Sequence, residues 1–181
     1  TAGKAYGHVQ TTQTDFSGFG SYDPVTNQLT AIAGGSYRSG GGAMCSLSNR
    51  QIIHFRRQDS DGFSIFDIPS ETWTTPLTAF PDGFTLNAPQ EMQVCVYVAG
   101  WNKVLRRFTA TNGSVSYADW YTFDMTTHEH IPYVPSGNAP PMAEDFGRYP
   151  GNKVFDAWGT HIIYICVGPT GNNSVYIMRH S

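Results

Sequence analysis

Five β-hairpin signals, with almost no helical punctuation between them, constrain this chain more than any other feature. Val94–Val98 and Val104–Ala110 flank Ala99-Gly100-Trp101-Asn102, and Phe108–Ala110 turns at Thr111-Asn112-Gly113 into Val115–Phe123. Ile52–Arg57 turns at Asp59-Ser60-Asp61-Gly62 into Phe63–Ile68, and Tyr22 turns through Asp23-Pro24 and Thr26-Asn27 into Leu29–Ala33. Near the C-terminus, His161–Val167 turns at residues 168–173 into Ser174–Met178. Asn-Gly and Asp-Gly reach the positive backbone dihedrals of tight hairpins at the lowest steric cost. The pattern predicts an all-β fold: an antiparallel β-sandwich or barrel with long Gly/Pro-rich loops.

At 181 residues the chain fits a single β domain spanning 1–181. Only 14% of residues are charged, against about 25% in an average soluble domain, and Thr, Ser, Asn, Gly and aromatics make up the difference. A polar but uncharged surface suits a β protein that displays side chains to a partner. The net charge of −3, with no basic run, excludes nucleic acid as an expected partner. No apolar run approaches the roughly 18 residues a membrane helix needs, so no membrane insertion is expected. The start at Thr1-Ala2-Gly3-Lys4 reads as a piece excised from a larger polypeptide, and the closing strand as a true C-terminus. Cys45, Cys95 and Cys166 are odd in number and lie beside apolar residues, which predicts reduced, buried thiols and a reducing compartment.

Along the chain, residues 51–68 and 91–123 are the firmest strand regions. Pro69, Pro76, Pro81 and Pro89 mark a long excursion between them, and residues 132–151 hold five further prolines. Met142–Phe146 is the one stretch suited to a helical turn. No internal repeat period is evident, so propeller and solenoid architectures are not expected. The continuously apolar Ile162–Val167 predicts a strand covered on both faces, by its own fold or by a subunit contact.

Motifs of catalysis are missing from the pattern. The runs Gly34-Gly35 and Gly40-Gly41-Gly42 are followed by no Lys-Ser/Thr and no helix, as a phosphate loop requires. Asp59-Ser60-Asp61-Gly62 fails the EF-hand spacing, with Arg57 and Ile68 where the first and twelfth ligands would stand. His128-Glu129-His130 would place two imidazoles on one strand face, yet spacing supplies no third metal ligand. Asp156 and His161 lack a nucleophile elbow, and no two glutamates are paired for glycoside cleavage. The expectation is a protein that is not an enzyme and uses no cofactor.

The aromatics carry more information. Trp73 in Trp73-Thr74-Thr75 and Trp101 beside Asn102 fall at turns or in Pro-bounded loops. A ring flanked by amide, hydroxyl or carboxylate groups suits a sugar, with the ring face on C–H groups and polar edges on hydroxyls. The ligand-binding residues expected on this basis are Trp73, Asp82, Trp101 and Asn102.

In its low charge, Thr/Ser/Asn/Gly/Pro richness, dense hairpins, aromatic loops, reduced cysteines and internal start, the chain resembles the protruding (spike) domain of a small non-enveloped virus capsid protein. That resemblance implies a virion-surface module that binds a host-cell receptor or glycan and associates with identical capsid domains. The alternative is a carbohydrate-binding or hydrolytic β-sandwich module of a secreted enzyme, which the three unpaired cysteines disfavour.

Overall fold

Every one of the five turn signals becomes an antiparallel hairpin. The computed structural model describes residues 3–9, 18–33, 43–55, 62–74, 77–78, 85–86, 94–112, 115–134, 153–157, 159–166 and 174–179. Among these residues there is no α-helix, only a 3-10 turn at Ala99–Trp101. The all-β antiparallel class expected from the turns therefore holds. Met142–Phe146 lies outside the described residues.

The strands form four sheets, taken up one after another along the chain. The first contains β1 (Ala5–Val9), β2 (Gly18–Asp23) and β3 (Gln28–Ile32). The second contains β4 (Ala43–Ser46), β5 (Gln51–Phe55), β6 (Gly62–Asp67) and β7 (Thr72–Trp73), with β8 (Leu77–Thr78) also on β6. In the third, β9 (Thr85–Leu86) pairs with β11, and β10 (Val94–Val98), β11 (Lys103–Asn112), β12 (Val115–Asp124) and β13 (His130–Pro132) follow in order. The fourth is β14 (Lys153–Ala157), β15 (His161–Cys166) and β16 (Ser174–Arg179). Each sheet is thus an antiparallel meander, and β10 of the third sheet lies next to β4 of the second and β14 of the fourth.

Three apolar clusters fill the spaces between consecutive sheets. Phe19, Ile52 and Phe66 join the first sheet to the second, with Tyr6 and Trp73 packed against them. Ile53, Phe55, Phe63, Cys95, Val104 and Phe123 join the second to the third. Val96, Val98, Leu105, Trp120, Ile162 and Tyr164 join the third to the fourth. The two middle sheets are consequently covered on both faces. Ile52 through Phe55 are buried in unbroken succession, as are Val104 through Arg107, the burial of a strand with no solvent face. The fourth sheet differs. Ile162 and Tyr164 point into the fold, whereas Ile163 and Ile165 on the other face are half-buried, so the described residues cover Ile162–Ile165 more fully on one face than on the other, and Val167 lies outside them.

The packing reveals an internal repeat. Tyr22, Phe66 and Phe123 are each followed directly by an aspartate, and five residues later by a non-glycine residue in the left-handed region: Asn27, Glu71 and His128, with φ of 54°, 52° and 62°. Cross-strand partners repeat in the same step, Tyr22 opposite Leu29, Phe66 opposite Trp73 and Phe123 opposite His130. Three residues before each aromatic stands a buried ring that faces the next sheet: Phe19, Phe63 and Trp120. Phe66 meets Phe19 at 4.8 Å between centroids, edge to face, and Phe123 meets Phe63 at the same 4.8 Å. A second left-handed position recurs between the first two strands of a sheet, at Arg50, Asn102 and Gly159. Consecutive meanders stacked face to face are the way propellers repeat their blades. The expectation of no repeat is corrected on this point. Its units start 44 and 57 residues apart, counted from Tyr22 to Phe66 and from Phe66 to Phe123, and so present no constant period.

Candidate functional site

An antiparallel meander puts alternate turns at opposite ends of its sheet, and the repeat aligns those ends from sheet to sheet. One end carries the short turns. There Asp23 Oδ1 accepts hydrogen bonds from the backbone N–H groups of Val25 and Thr26, at 2.8 and 3.3 Å. Asp67 Oδ2 accepts from the Ser70 hydroxyl at 2.6 Å and its N–H at 3.0 Å. Asp124 Oδ1 accepts from Thr126 and Thr127 N–H at 2.8 and 3.2 Å. All three carboxyls are held below their ordinary range, Asp23 and Asp124 chiefly by the backbone donors and Asp67 first by the Ser70 hydroxyl. Glu71 ties the first sheet to the second, accepting from Lys4 Nζ at 2.8 Å and from the Tyr6 hydroxyl at 3.1 Å.

Because these carboxyl pKa values are depressed by the fold, their contribution to stability is present above the ordinary aspartate value of 3.8 and is lost as pH falls through and below it. A double Asp67→Asn, Asp124→Asn variant is expected to melt lower than wild type at neutral pH. Its melting temperature should then decline less steeply on acidification. Parallel acid profiles for the two proteins in thermal melts would show that the caps do not bear on stability.

From the other end depart the longer connections. Val9 opposite Gly18, Ala43 opposite Phe55, Gly62 opposite Thr78 and Cys166 opposite Ser174 mark it in three of the sheets. In the third sheet the β11–β12 ribbon continues in register to Asn112 opposite Val115. Arg107 stands level with Phe55 in the repeat, so the ribbon runs five residue pairs further, roughly 17 Å at the usual rise per residue. Near its tip it pairs with β9, Ala110 opposite Leu86.

The four residues expected to bind a ligand are distributed as follows. Trp73 ends β7 and packs into the first-to-second cluster, 4.8 Å from Phe19 and 4.9 Å from Phe66 between centroids. Its indole Nε1 is buried with no hydrogen-bond partner among the described residues. Trp101 is half-buried in the third-to-fourth cluster, with Tyr133 at 5.7 Å. Asn102 is exposed at φ 52° and pins two turns: Oδ1 accepts from the Tyr97 hydroxyl at 3.1 Å, and Nδ2 donates to Thr126 Oγ1 at 3.2 Å. Asp82 lies outside the described residues, in the connection from Thr78 to Thr85. Trp73 and Trp101 thus belong to different clusters and do not share a platform.

The chemistry-bearing groups that the sequence did not single out are buried. Arg106 is 1% exposed between the second and third sheets. Its guanidinium carbon stands 3.8 Å from the Phe55 ring centroid, and Nη1 donates to His130 Nε2 at 2.7 Å. Burial lowers its pKa to about 9, against a smaller opposing effect of Cys95 and Cys45. Cys45 and Cys95 are free thiols. The hydrogen bond between them, then burial, pushes the Cys45 thiol well up, so it is held as an unreactive thiol rather than a thiolate. The side chain of Cys166 is outside the described set. Arg107 makes the corresponding contact one sheet later, donating to the Tyr164 hydroxyl at 2.8 Å. His128 stacks on Phe123 at 5.9 Å while His130 is buried in β13, so the two imidazoles serve packing. Among the described residues no three His, Cys, Asp or Glu side chains come together as metal ligands. Arginines following directly on apolar residues inside a strand, as in Val104-Leu105-Arg106-Arg107, were the available sign of a buried cation.

No known protein family matches the chain, and no curated protein is significantly similar to it.

Proposed function

We propose that this domain is a non-enzymatic attachment module on the surface of a viral capsid, binding a host-cell receptor of glycan character and working beside identical copies on the particle. One observation carries the reading: the scaffold keeps its short, aspartate-capped turns at one end and sends its longer connections from the other. Function concentrates on loops that a rigid frame holds in place. Apart from residues 56–61, which hold two Arg and two Asp, those connections are rich in Gly, Pro, Ser, Thr and aromatics and carry few charges, which suits a neutral, hydroxyl-rich ligand better than an ionic one. Asp82 falls in the sequence between Thr78 and Thr85, whose strands reach that end, which supports Asp82 as the ligand-binding residue of this proposal.

A printed glycan array probed with the labelled domain tests the proposal. Wild type is expected to bind a restricted set of glycans, and Asp82→Ala to lose that binding with an unchanged melting temperature. Retention of glycan binding by Asp82→Ala removes Asp82 from the site. Absence of binding to any glycan rejects the glycan reading.

A further inference from the structure

The repeat states what each sheet face packs against, and two faces lack that partner among the described residues. Phe19, Phe63 and Trp120 face the following sheet and are 2%, 2% and 3% exposed. The residue at that position in the fourth sheet is Val175, three before Met178, and it is 61% exposed; Ile177 on the same face is 64% exposed. At the opposite end of the stack, Phe66 and Phe123 face the preceding sheet and are fully buried, whereas their counterpart Tyr22 is 40% exposed and its cross-strand partner Leu29 is 58% exposed.

The two uncovered faces are the two halves of one contact. Inside the chain a Phe19-type ring always meets a Phe66-type residue of the next sheet: Phe19 with Phe66, Phe63 with Phe123, and Trp120 with Met178 in a common cluster. Val175 is the first half without the second, and Tyr22 is the second without the first. Their neighbours match too, since Ile165 opposite Val175 stands where Phe55 opposite Phe63 stands, and Phe123 reaches Phe55 at 5.2 Å. We infer that a second copy of this chain covers the Val175 face, seating its Tyr22 and Leu29 on Ile165, Val175 and Ile177 in the register the internal sheets already use. A second copy is the occupant because each copy carries both complementary faces at opposite ends, so one head-to-tail contact always leaves a face for the next. Exposed apolar patches of this kind seldom stay bare on a monomer. The inference does not depend on the attachment reading, and a failed glycan array would leave it standing.

Sedimentation velocity on the 181-residue chain and on Tyr22→Lys and Val175→Lys tests it, with circular dichroism melts to establish that the variants fold. Wild type is expected to self-associate with rising concentration. Each variant alone is expected to associate about 100-fold more weakly, because a lysine would have to be buried in the contact. Mixing the two variants is the decisive arm: one retains an intact Val175 face and the other an intact Tyr22 face, so a 1:1 heterodimer should form. A wild type that stays monomeric overturns the inference, as does a mixture that fails to pair. Retained association by Tyr22→Lys alone overturns it in favour of a like-with-like contact. If Val175→Lys does not fold, Ile177→Ser takes its place in the same mixture.

Discussion

Phe123→Ala is expected to remove about 3–5 kcal/mol of stability, the usual cost of emptying a buried phenylalanine site. Phe123 is fully buried and sits within ring contact of Phe55, Phe63, His128 and His130. Removing it opens the second-to-third interface at its centre, where the strands on both sides are held by buried backbone ladders and cannot collapse freely. Domains of ordinary stability have only about 5–15 kcal/mol to lose, so the variant should be partly unfolded at body temperature. Urea unfolding measures this directly. Phe123→Leu, which nearly conserves volume, should lose less than about 1.5 kcal/mol. Equal losses for leucine and alanine would mean that the ring is not packed as described.

The second large effect separates the charge of Arg106 from its bulk. Arg106→Ala should cost about 3 kcal/mol, because it leaves a cavity over Phe55 and takes the donor from His130 Nε2. Arg106→Met fills much of the same space without a charge to desolvate and should fall within about 1 kcal/mol of wild type or above it, as buried ion replacements often do. Burial lowers the guanidinium pKa to about 9, so the folded chain holds this proton less tightly than the unfolded chain. Its cost therefore falls as pH climbs past about 9, and wild type should gain on Arg106→Met in that direction. Urea unfolding at neutral and alkaline pH checks both points. A methionine variant weaker than the alanine variant would show that the cation itself holds the sheets together.

The hairpins were legible because turn chemistry is local. Asp23-Pro24 and Asn112-Gly113 fix the chain's direction whatever surrounds them. The repeat was not legible for the same reason turned around: its unit is defined by backbone conformation and facing rather than by identity. Asn27, Glu71 and His128 share a left-handed backbone, yet glutamate gives no sign of adopting one. The pairs Tyr22-Asp23, Phe66-Asp67 and Phe123-Asp124 were the usable signal, an aromatic for the sheet interface followed by a cap for the turn. The ligand-binding residues fared differently from the strands. Thr neighbours and a proline made Trp73 look like a loop ring, but its surroundings are set by Phe19, which lies 54 residues earlier in the chain. Trp101 next to Asn102 reads alike whether the ring faces solvent or Tyr133. Burial of a single ring is a tertiary fact that its neighbours in sequence do not encode.

Among the described residues, each apolar cluster joins a sheet only to the one before or after it. Cohesion in such an array travels like that of a short one-dimensional stack, each sheet lending stability to its two neighbours and no further. The second and third sheets, gripped from both sides, form the last region to open, and the first and fourth fray toward them. Strain at one terminal sheet would have to cross three interfaces before the other felt it. The chain is therefore built to tolerate change at its ends and to resist it in the middle.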